Sequence, residues 1–334
     1  MTLNTGKIFT SYIDLHQCCI YWVKLKQIKH FIKYIKESRR VTMVDKIEFT
    51  GEFVLTDEMK QKYDDDGFIV VKNLFDKEEI AQMWKIFEQP DGILKHSYET
   101  TEPDGKKILR VMYQHPGDDV SGMFSRCEKI VNTCEKLLDG EVYHYHGKFI
   151  LKNPKEGGSH VWHQDYGYWY KHNLFPDMIT VWIPMDKATR ENSCLQVLKG
   201  SHKCGRVDHI PGAGTLQTQC DLDRVEALKK VCPHLYCEME PGDVLFQHCN
   251  TIHKSSPNES DMRRWAFVAC YNKASNDSFV KHHHANYKKI EKVPNSAIKE
   301  CTNYTDFSGK EFTDPVSKDE DRIHFPSTPN NIQG

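Results

Sequence analysis

The sequence has little net charge and no long hydrophobic run. Its 45 Lys and Arg residues nearly balance 47 Asp and Glu residues, which gives a formal charge of −2. This balance provides no electrostatic reason to bind nucleic acid or an anionic membrane. The apolar segment 18–23 is far shorter than the roughly 20 residues that span a bilayer. We therefore expect neither a nucleic-acid partner nor a membrane span; the sequence leaves the oligomeric state open.

The chain also lacks Cys-x-x-Cys pairs and a recognisable secretion signal, although it has 12 cysteines. The cysteines are scattered through apolar runs such as residues 268–271, where a free thiol behaves as a small buried hydrophobe. Paired zinc or disulfide frameworks use regular spacings that are missing here. We therefore expect a reducing, intracellular compartment, and favour the cytoplasm.

The first 42 residues are poor in acidic side chains and rich in basic ones. Asp14 and Glu37 are the acidic residues, and the basic residues are Lys7, Lys24, Lys26, Lys29, Lys33, Lys36, Arg39 and Arg40. Such a segment is typical of a mitochondrial transit peptide, but a simple basic helix or a non-native extension ahead of a start at Met43 has the same composition. We expect residues 1–42 to be an extension and residues 43–334 to be one domain.

Residues 43–334 contain helical patterns followed by short β-rich runs. Helices are predicted over Asp57–Tyr63, Lys77–Phe87, Phe124–Leu138 and Asp221–Val231, with a capping box formed by Asp76 and Glu79. Strands are predicted over residues 67–71, 149–151, 179–183, 194–198, 243–246 and 265–269. This order predicts a mainly β fold, a barrel or double sheet braced by α-helices. The tail from about residue 288 is expected to be largely at the surface or irregular.

His163 and Asp165 lie one residue apart, and on an extended segment both side chains would point to one face. Two imidazoles and a carboxylate on one face of an octahedral ion leave three positions open, as in non-haem Fe(II) oxygenases. An isolated pair of this kind is more often a surface hydrogen bond. Candidates for the third ligand are His248 and His253, and we favour His253 because Ser255 and Arg264 follow it.

Arg264 has the chemistry to hold the far carboxylate of a dicarboxylate co-substrate, because its planar fork matches a carboxylate in a bidentate way. Arg263 precedes it and would point to the opposite face of the same strand, so only one of the two can do this.

Four segments together resemble the phytanoyl-CoA dioxygenase family of iron(II)- and 2-oxoglutarate-dependent oxygenases. They are His163–Asp165, Glu191–Lys203, Pro241–Phe246 and His253–Asn258 with Arg264. The resemblance covers roughly residues 55–275 and implies a double-stranded β-helix (jelly-roll, cupin-like) core. Ser193 stands where the family usually has Gly, and Lys199 where Pro is common; both are expected in a turn outside the site.

By this resemblance, His163, Asp165 and His253 would bind iron and carry catalysis. Arg264 and Ser255 would hold the far carboxylate of 2-oxoglutarate, Trp182 would line its pocket, and Lys148 stands where the family places a residue near the co-substrate. The other co-substrate would be O₂, and ascorbate would support activity. Since related halogenases replace the carboxylate ligand by a small residue, Asp165 favours hydroxylation.

The expected activity is hydroxylation of a small organic substrate, perhaps a free amino acid such as proline, because the chain resembles proline trans-4-hydroxylase-like proteins most. The alternatives are an acyl-CoA or other lipid-like substrate, and a non-catalytic jelly-roll protein that binds metal or ligand. Near the motif, Tyr166, Tyr168, Trp169 and Tyr170 could line a substrate pocket or pack. His144 and His146 are expected to share a face, and the tract His282–His284 to be exposed.

Overall fold

A computed structural model describes residues 42–211 and 217–313. All of these except Thr42 belong to one compact unit, Met43–Gly334. The predicted extension 1–42 lies outside the described residues apart from Thr42, and so does the end of the tail. No helix in the described part of the chain is long and apolar enough to cross a membrane.

The strands are short and come mostly after the first helices. In chain order they are β1 (Thr42–Met43), β2 (Lys46–Ile47), β3 (Phe68–Val71), β4 (Tyr98–Thr101), β5 (Lys107–Tyr113), β6 (Val142–Lys152), β7 (His160–His163), β8 (Met178–Pro184), β9 (Leu195–Leu198), β10 (His209–Pro211), β11 (Thr218–Cys220), β12 (His234–Cys237), β13 (Val244–His248), β14 (His253–Ser255) and β15 (Arg264–Lys273).

The helices are α1 (Asp57–Asp66), α2 (Lys77–Glu88), α3 (Val120–Arg126), α4 (Glu128–Leu137), α5 (Asp165–Trp169), α6 (Leu222–Leu228) and α7 (Ala297–Glu300). The predicted capping box is confirmed, because Asp76 accepts from the Glu79 N–H and Glu79 accepts from the Asp76 N–H. Helix α6 is capped by Asp221 and ends before the predicted Val231.

Two mainly antiparallel sheets form the core. The larger has the order β2-β3-β13-β8-β15-β6-β5-β4, and the smaller contains β12-β9-β14-β7. One face of the larger sheet packs on α1 to α4 and α7 in a single apolar cluster. The opposite face shares a second cluster with the smaller sheet. This arrangement confirms the predicted jelly-roll core with bracing helices, and we call the face toward the smaller sheet the inner face.

The predicted helix Phe124–Leu138 is broken at Cys127. Cys127 has extended backbone angles, φ −64 and ψ 146, between α3 and α4. A later segment pairs with the chain at this point: Glu128 donates its N–H to the Val293 carbonyl, and Val293 donates to the Arg126 carbonyl. The apolar periodicity of the sequence was therefore right, but a tertiary contact interrupts the helix.

The tail beyond residue 288 is irregular as predicted over its described part, except for α7, but it is not confined to the surface. Ile298 and Lys310 are completely buried and Phe307 is 8% exposed. Phe307 and Ile298 belong to the cluster under the helices. The described part of the tail is therefore largely irregular or at the surface, as predicted, but these three side chains enter the interior.

Candidate metal centre

His163, Asp165 and His253 converge at one end of the smaller sheet. His163 ends β7 and His253 begins β14, and the two are direct partners in the antiparallel pairing of these strands. The Asp165 Oδ1 atom lies 3.9 Å from His163 Nε2 and 4.0 Å from His253 Nε2. All three side chains are buried, and their potential ligand atoms lie within 4.8 Å of one another.

Asp165 reaches this position in a different way from the one predicted. Strand β7 stops at His163, and Asp165 is the first residue of the short helix α5. The two side chains therefore do not share the face of one extended strand. The turn into α5 brings the carboxylate beside the imidazoles.

Each ligand side chain is oriented by a neighbour. The Nδ1 atom of His163 lies 2.8 Å from the Val161 carbonyl, and that of His253 lies 2.9 Å from the Thr251 carbonyl. An N–H at Nδ1 that donates to a carbonyl leaves the Nε2 lone pair free for a metal. Burial lowers the pKa of both histidines, which favours the neutral form that binds metal.

Thr180 orients the third ligand. Its hydroxyl donates to Asp165 Oδ2 at 2.6 Å, so Oδ1 is the oxygen that faces the two imidazoles. Thr180 comes from β8 and was not found from the sequence. Its position directly before Val181 and Trp182 in a buried strand gave no sign of a hydrogen-bonding role.

Three of the remaining predicted residues, Lys148, Trp182 and Arg264, lie along the inner face of β6, β8 and β15. Facing residues in antiparallel strands point to the same side of a sheet. Successive rows across these strands are His146–Cys270–Thr180, Lys148–Val268–Trp182, Ile150–Ala266–Pro184 and finally Lys152–Arg264. Since Thr180 contacts Asp165, these rows lead from the metal ligands to Arg264.

Arg264 is a buried cation. Its side chain is 1% exposed and its guanidinium lies 5.6 Å from the centre of the Trp182 ring. Its Nε and Nη1 atoms are buried without a hydrogen-bond partner among the described residues. Burial lowers the pKa of Arg264 to about 10. A buried charge without a partner is costly, so this position fits an anionic ligand.

Arg263 takes the opposite face, as predicted. It contacts Asp186 at 2.9 Å and lies over the rings of Trp84 and Trp265, on the side of the helices. The predicted register of β15, with Arg264 inside, is therefore confirmed.

Ser255 and Lys148 lie close to the rows of side chains that end at Arg264. Ser255 ends β14 and is 3% exposed. Its hydroxyl lies 2.8 Å from Nζ of Lys152, a completely buried residue that the sequence did not indicate. Lys148 is half-buried in the Trp182 row. This row lies next to the row that contains Thr180, so Lys148 is one row away from the residue that contacts Asp165.

Two histidine predictions are wrong. Strand β6 has an irregularity at Tyr145, because Cys270 faces His146 whereas Tyr271 faces His144. His144 therefore packs against Tyr113 and Tyr271 under the helices, and His146 lies on the inner face against Trp169 and His284. In the tract 282–284, His284 is 6% exposed and the other two are half-buried, so the tract is not an exposed one.

The aromatic residues that follow Asp165 have two different surroundings. Tyr166 and Trp169 are buried in the inner cluster. The ring of Tyr168 lies edge-on to His163 at 5.8 Å, and its hydroxyl donates to the Thr218 carbonyl. Tyr168 is therefore the member of the run that contacts a metal-ligand side chain.

These residues fit iron and a dicarboxylate. The histidine Nε2 atoms and the Asp165 Oδ1 atom lie close together, and two imidazoles with one carboxylate are the donor set of a facial triad. The unpartnered nitrogens of Arg264 lie on the same inner face, at the far end of the rows. A dicarboxylate chelating the metal at one end would present its other carboxylate to this guanidinium.

The comparisons with known proteins agree with this geometry. The family model for phytanoyl-CoA dioxygenase matches residues 63–266. L-proline trans-4-hydroxylase of Streptomyces griseoviridis is 27% identical over 65% of this chain and 86% of its own length. Ectoine dioxygenase of Bordetella parapertussis is 24% identical over 68% of this chain and 79% of its own length.

Among solved structures, EctD from S. alaskensis with 2-oxoglutarate and 5-hydroxyectoine superimposes with a TM-score of 0.60 at 19% identity. The match covers 76% of this chain and 94% of the EctD chain. At this identity the match establishes the jelly-roll fold. Because the family model spans more than half of the sequence, the chain belongs to the phytanoyl-CoA dioxygenase family.

Proposed function

We propose that this protein is an Fe(II)- and 2-oxoglutarate-dependent dioxygenase that hydroxylates a small organic molecule. The observation that carries the proposal is the buried His163–Asp165–His253 cluster, which faces the same side of the larger sheet that holds Arg264. The Nε and Nη1 atoms of Arg264 have no hydrogen-bond partner among the described residues. A metal-binding jelly roll without catalysis would need the triad but would have no use for a second, buried cationic site.

In this proposal His163, Asp165 and His253 bind the iron, and Arg264 with Ser255 holds the far carboxylate of 2-oxoglutarate. Trp182 forms the wall between them, and Lys148 lies alongside. Bound iron supplies the oxidative decarboxylation of 2-oxoglutarate by O₂, coupled to hydroxylation of the substrate, with succinate and CO₂ as products. The carbonyls of Val161 and Thr251 keep His163 and His253 in the tautomer that binds metal through Nε2. Thr180 orients the Asp165 carboxylate, and the buried surroundings of Arg264 exclude water from the co-substrate.

The proposed substrate is a polar molecule such as a free amino acid, proline for example. Relatives named for proline and ectoine support this choice. So does Lys148, a half-buried lysine on the inner face one row from Thr180, whose ammonium suits a substrate carboxylate. A relative from Caenorhabditis elegans named as a probable phytanoyl-CoA dioxygenase keeps an acyl-CoA substrate as the second candidate.

The direct test is succinate formation by purified protein with Fe(II), 2-oxoglutarate, ascorbate and O₂, alone and with a panel of amino acids and acyl-CoA thioesters. We expect slow succinate release without substrate and faster release with an amino acid. The control is Asp165→Ala, which should lose bound iron and succinate release together. Wild-type protein that binds iron but releases no succinate with any member of the panel would favour the non-catalytic alternative.

We also propose that the catalytic domain comprises residues 43–334, that residues 1–42 are an accessory extension, and that the protein works in a reducing intracellular compartment. Support for the compartment comes from the ten described cysteines, which are all free. Expression of the full chain fused to a fluorescent protein would test the location. Import into mitochondria with loss of the extension would identify residues 1–42 as a transit peptide.

A further inference from the structure

Four histidines pack together beside strand β6. His146 belongs to β6, His172 follows α5, and His282 and His284 come from the segment after β15. The rings of His146 and His284 stack with their centres 4.7 Å apart, and those of His172 and His282 stack at 4.3 Å. The ring centres of His282 and His284 lie 5.6 Å apart, so the two stacks form one group, which we call the imidazole cluster.

The imidazole cluster lies over the row of side chains next to the metal ligands. His146 is in the same row as Thr180, whose hydroxyl donates to Asp165. Its ring also packs 5.5 Å from that of Trp169, the last residue of the helix that begins at Asp165. The segment 277–285, which stacks on His146, therefore covers this row where it crosses β6.

The rings of the cluster are buried, and several of their nitrogens have no hydrogen-bond partner. His146 is 2% exposed and His284 is 6% exposed. Both nitrogens of His146, and the Nδ1 atoms of His284 and His172, are buried without a partner among the described residues. A neutral imidazole tolerates such burial at a modest cost, whereas a buried imidazolium without a partner is far more costly. The observed packing therefore requires the neutral form of these rings.

The hydrogen bonds of His282 show the same requirement directly. Its Nδ1 atom accepts from the backbone N–H of His284 at 3.2 Å. The ring proton is then on Nε2, which donates to the Ser278 hydroxyl at 2.6 Å. An imidazolium carries a proton on both nitrogens and cannot accept at either. Protonation of His282 therefore breaks its bond to the backbone of His284.

The charges around the first stack oppose protonation. Burial lowers the pKa of His146 well below the ordinary value of a histidine, and the positive charge of Lys148 lowers it further. Burial also lowers the pKa of His284 well below that value, and the neighbouring ring of His283 adds to the effect. Both stacked rings are therefore neutral at neutral pH.

The surroundings of the second stack have the same effect. Burial lowers the pKa of His172, and the charges of His283 and Lys171 lower it further. Asp277 acts in the opposite direction on His282, but burial still lowers the pKa of His282 to about 3. The other titratable side chains packed on the cluster are uncharged near neutral pH because burial disfavours their charged forms; they are His144, Tyr145 and Cys270.

We propose that the imidazole cluster is a pH-sensitive latch: its neutral rings hold residues 277–285 against β6, and their protonation at mildly acidic pH releases this segment. In the open form each histidine would titrate with the ordinary pKa of about 6.5, whereas in the closed form it stays neutral. The closed form is therefore fully stable above about pH 6.5 and loses stability as the pH falls below that value. Opening uncovers the row that leads to Thr180 and Asp165.

The experiment measures amide hydrogen exchange of the full chain with Co(II) bound, at pH 7.5 and 6.0, after correction for intrinsic exchange rates. Bound metal keeps its histidine ligands from titrating. The reporting amides are those of Phe279, which donates to the His172 carbonyl, and His284. We expect their protection to fall about 50-fold or more at pH 6.0, because each of three histidines contributes about fourfold. Protection in the central strand β13 should stay unchanged.

The double variant His146→Phe/His284→Phe keeps two stacked rings but removes two titrating groups. We expect it to lessen the fall in protection by about 14-fold, since each histidine that is lost removes about fourfold. His115→Phe is the matched control and should leave the fall unchanged, because His115 is half-buried and its charged neighbours are Glu311 and Lys288. If the double variant does not fold, His284→Phe alone should lessen the fall by about fourfold.

Equal protection of the Phe279 and His284 amides at the two pH values would overturn the inference. An undiminished fall in the double variant would also overturn it, because opening would then depend on other groups. An equal loss of protection in β13 would do so too, since the whole domain would be opening and not this segment. These measurements need no 2-oxoglutarate, so they test the latch separately from the proposed function.

Discussion

Thr180 fixes the orientation of the Asp165 carboxylate, because its hydroxyl donates to Oδ2 and leaves Oδ1 beside the two imidazoles. A second hydrogen-bonding neighbour, Cys270, lies 3.6 Å from the Thr180 oxygen and belongs to the same row. Groups that hold metal ligands in this way commonly change metal affinity when they are removed. The role of Thr180 can therefore be measured without substrate.

Thr180→Val keeps the shape of the side chain and removes the donor. We expect affinity for Fe(II), or for Co(II) as a stable probe, to fall about 10- to 100-fold, because the carboxylate loses its fixed orientation. Equilibrium dialysis with a competing chelator gives the measurement. Thr180→Ser retains the hydroxyl and should stay within a few-fold of wild type; equal losses in both variants would show that packing, and not the hydrogen bond, matters.

Arg264→Ala should separate the two halves of the site. Removing one member of a buried charge pair costs about 2–5 kcal/mol, so the affinity for 2-oxoglutarate should fall by roughly 30-fold or more while iron binding is kept. Arg263→Ala is the matched control, because its guanidinium contacts Asp186 on the other face. If Arg263→Ala weakens 2-oxoglutarate binding and Arg264→Ala does not, then Arg263 and not Arg264 binds the far carboxylate.

The sequence identified the residues whose chemistry is visible in short motifs. His163, Asp165 and His253 converge, and Arg264 is buried on the inner face. Thr180 and Lys152 were missed because their roles depend on which strands become neighbours. A lysine at the end of an apolar run has no local feature that distinguishes a buried, hydrogen-bonded ammonium from a solvated one.

At the scale of the element, strand β6 determines which side chains face the candidate metal centre. Its irregularity at Tyr145 sends His144 to the helix side and His146 to the inner face. Beyond it, alternation places Lys148 and Lys152 inside. Between His146 and Lys148, Gly147 lies against the ring of Tyr113 on the helix side, and any Cβ at this position would overlap that ring.

Gly147→Ala is therefore expected to destabilise the protein by about 1–3 kcal/mol through overpacking, because Tyr113 is completely buried. Urea unfolding followed by circular dichroism measures this loss. In a Tyr113→Val background the same change should cost much less, since the ring is gone. An equal cost in both backgrounds would show that the strain arises from the backbone of β6 and not from the ring.

Element boundaries were predictable where local signals decide them. The capping box of α2 is local, and the structure confirms it. The break between α3 and α4 was not predictable, because it depends on pairing with a segment near Val293. The short helix α5 was missed for a related reason. Its aromatic residues suit a strand, but the chain turns after His163 and forms a helix that begins at Asp165.

At the scale of the molecule, the segment after residue 288 secures the back of the large sheet. Lys310 enters the interior and contacts Asp119 at 2.8 Å and the Ser121 hydroxyl at 3.0 Å, with its ammonium 3.8 Å from the centre of the Tyr113 ring. Neither Lys310 nor Asp119 is exposed. The polar composition of this segment predicted a tail that is largely at the surface or irregular, which holds for most of its described residues. Composition could not show that Lys310 would pair with the buried carboxylate of Asp119.

Lys310→Met should destabilise the protein by about 3–5 kcal/mol, because it leaves the Asp119 carboxylate buried without its partner. The double variant Lys310→Met/Asp119→Asn should recover much of that loss, since both charges are then absent and the amide oxygen can still accept from Ser121 at the start of α3. Lys289→Met, at an exposed position in the same segment, is the control and should change the free energy of unfolding by less than about 0.5 kcal/mol. Urea unfolding of the four proteins measures these differences. In the double variant no unpaired carboxylate remains to account for a loss of stability. If that variant is nevertheless as unstable as Lys310→Met alone, then the packing of the lysine stem, and not its charge, holds the segment in place.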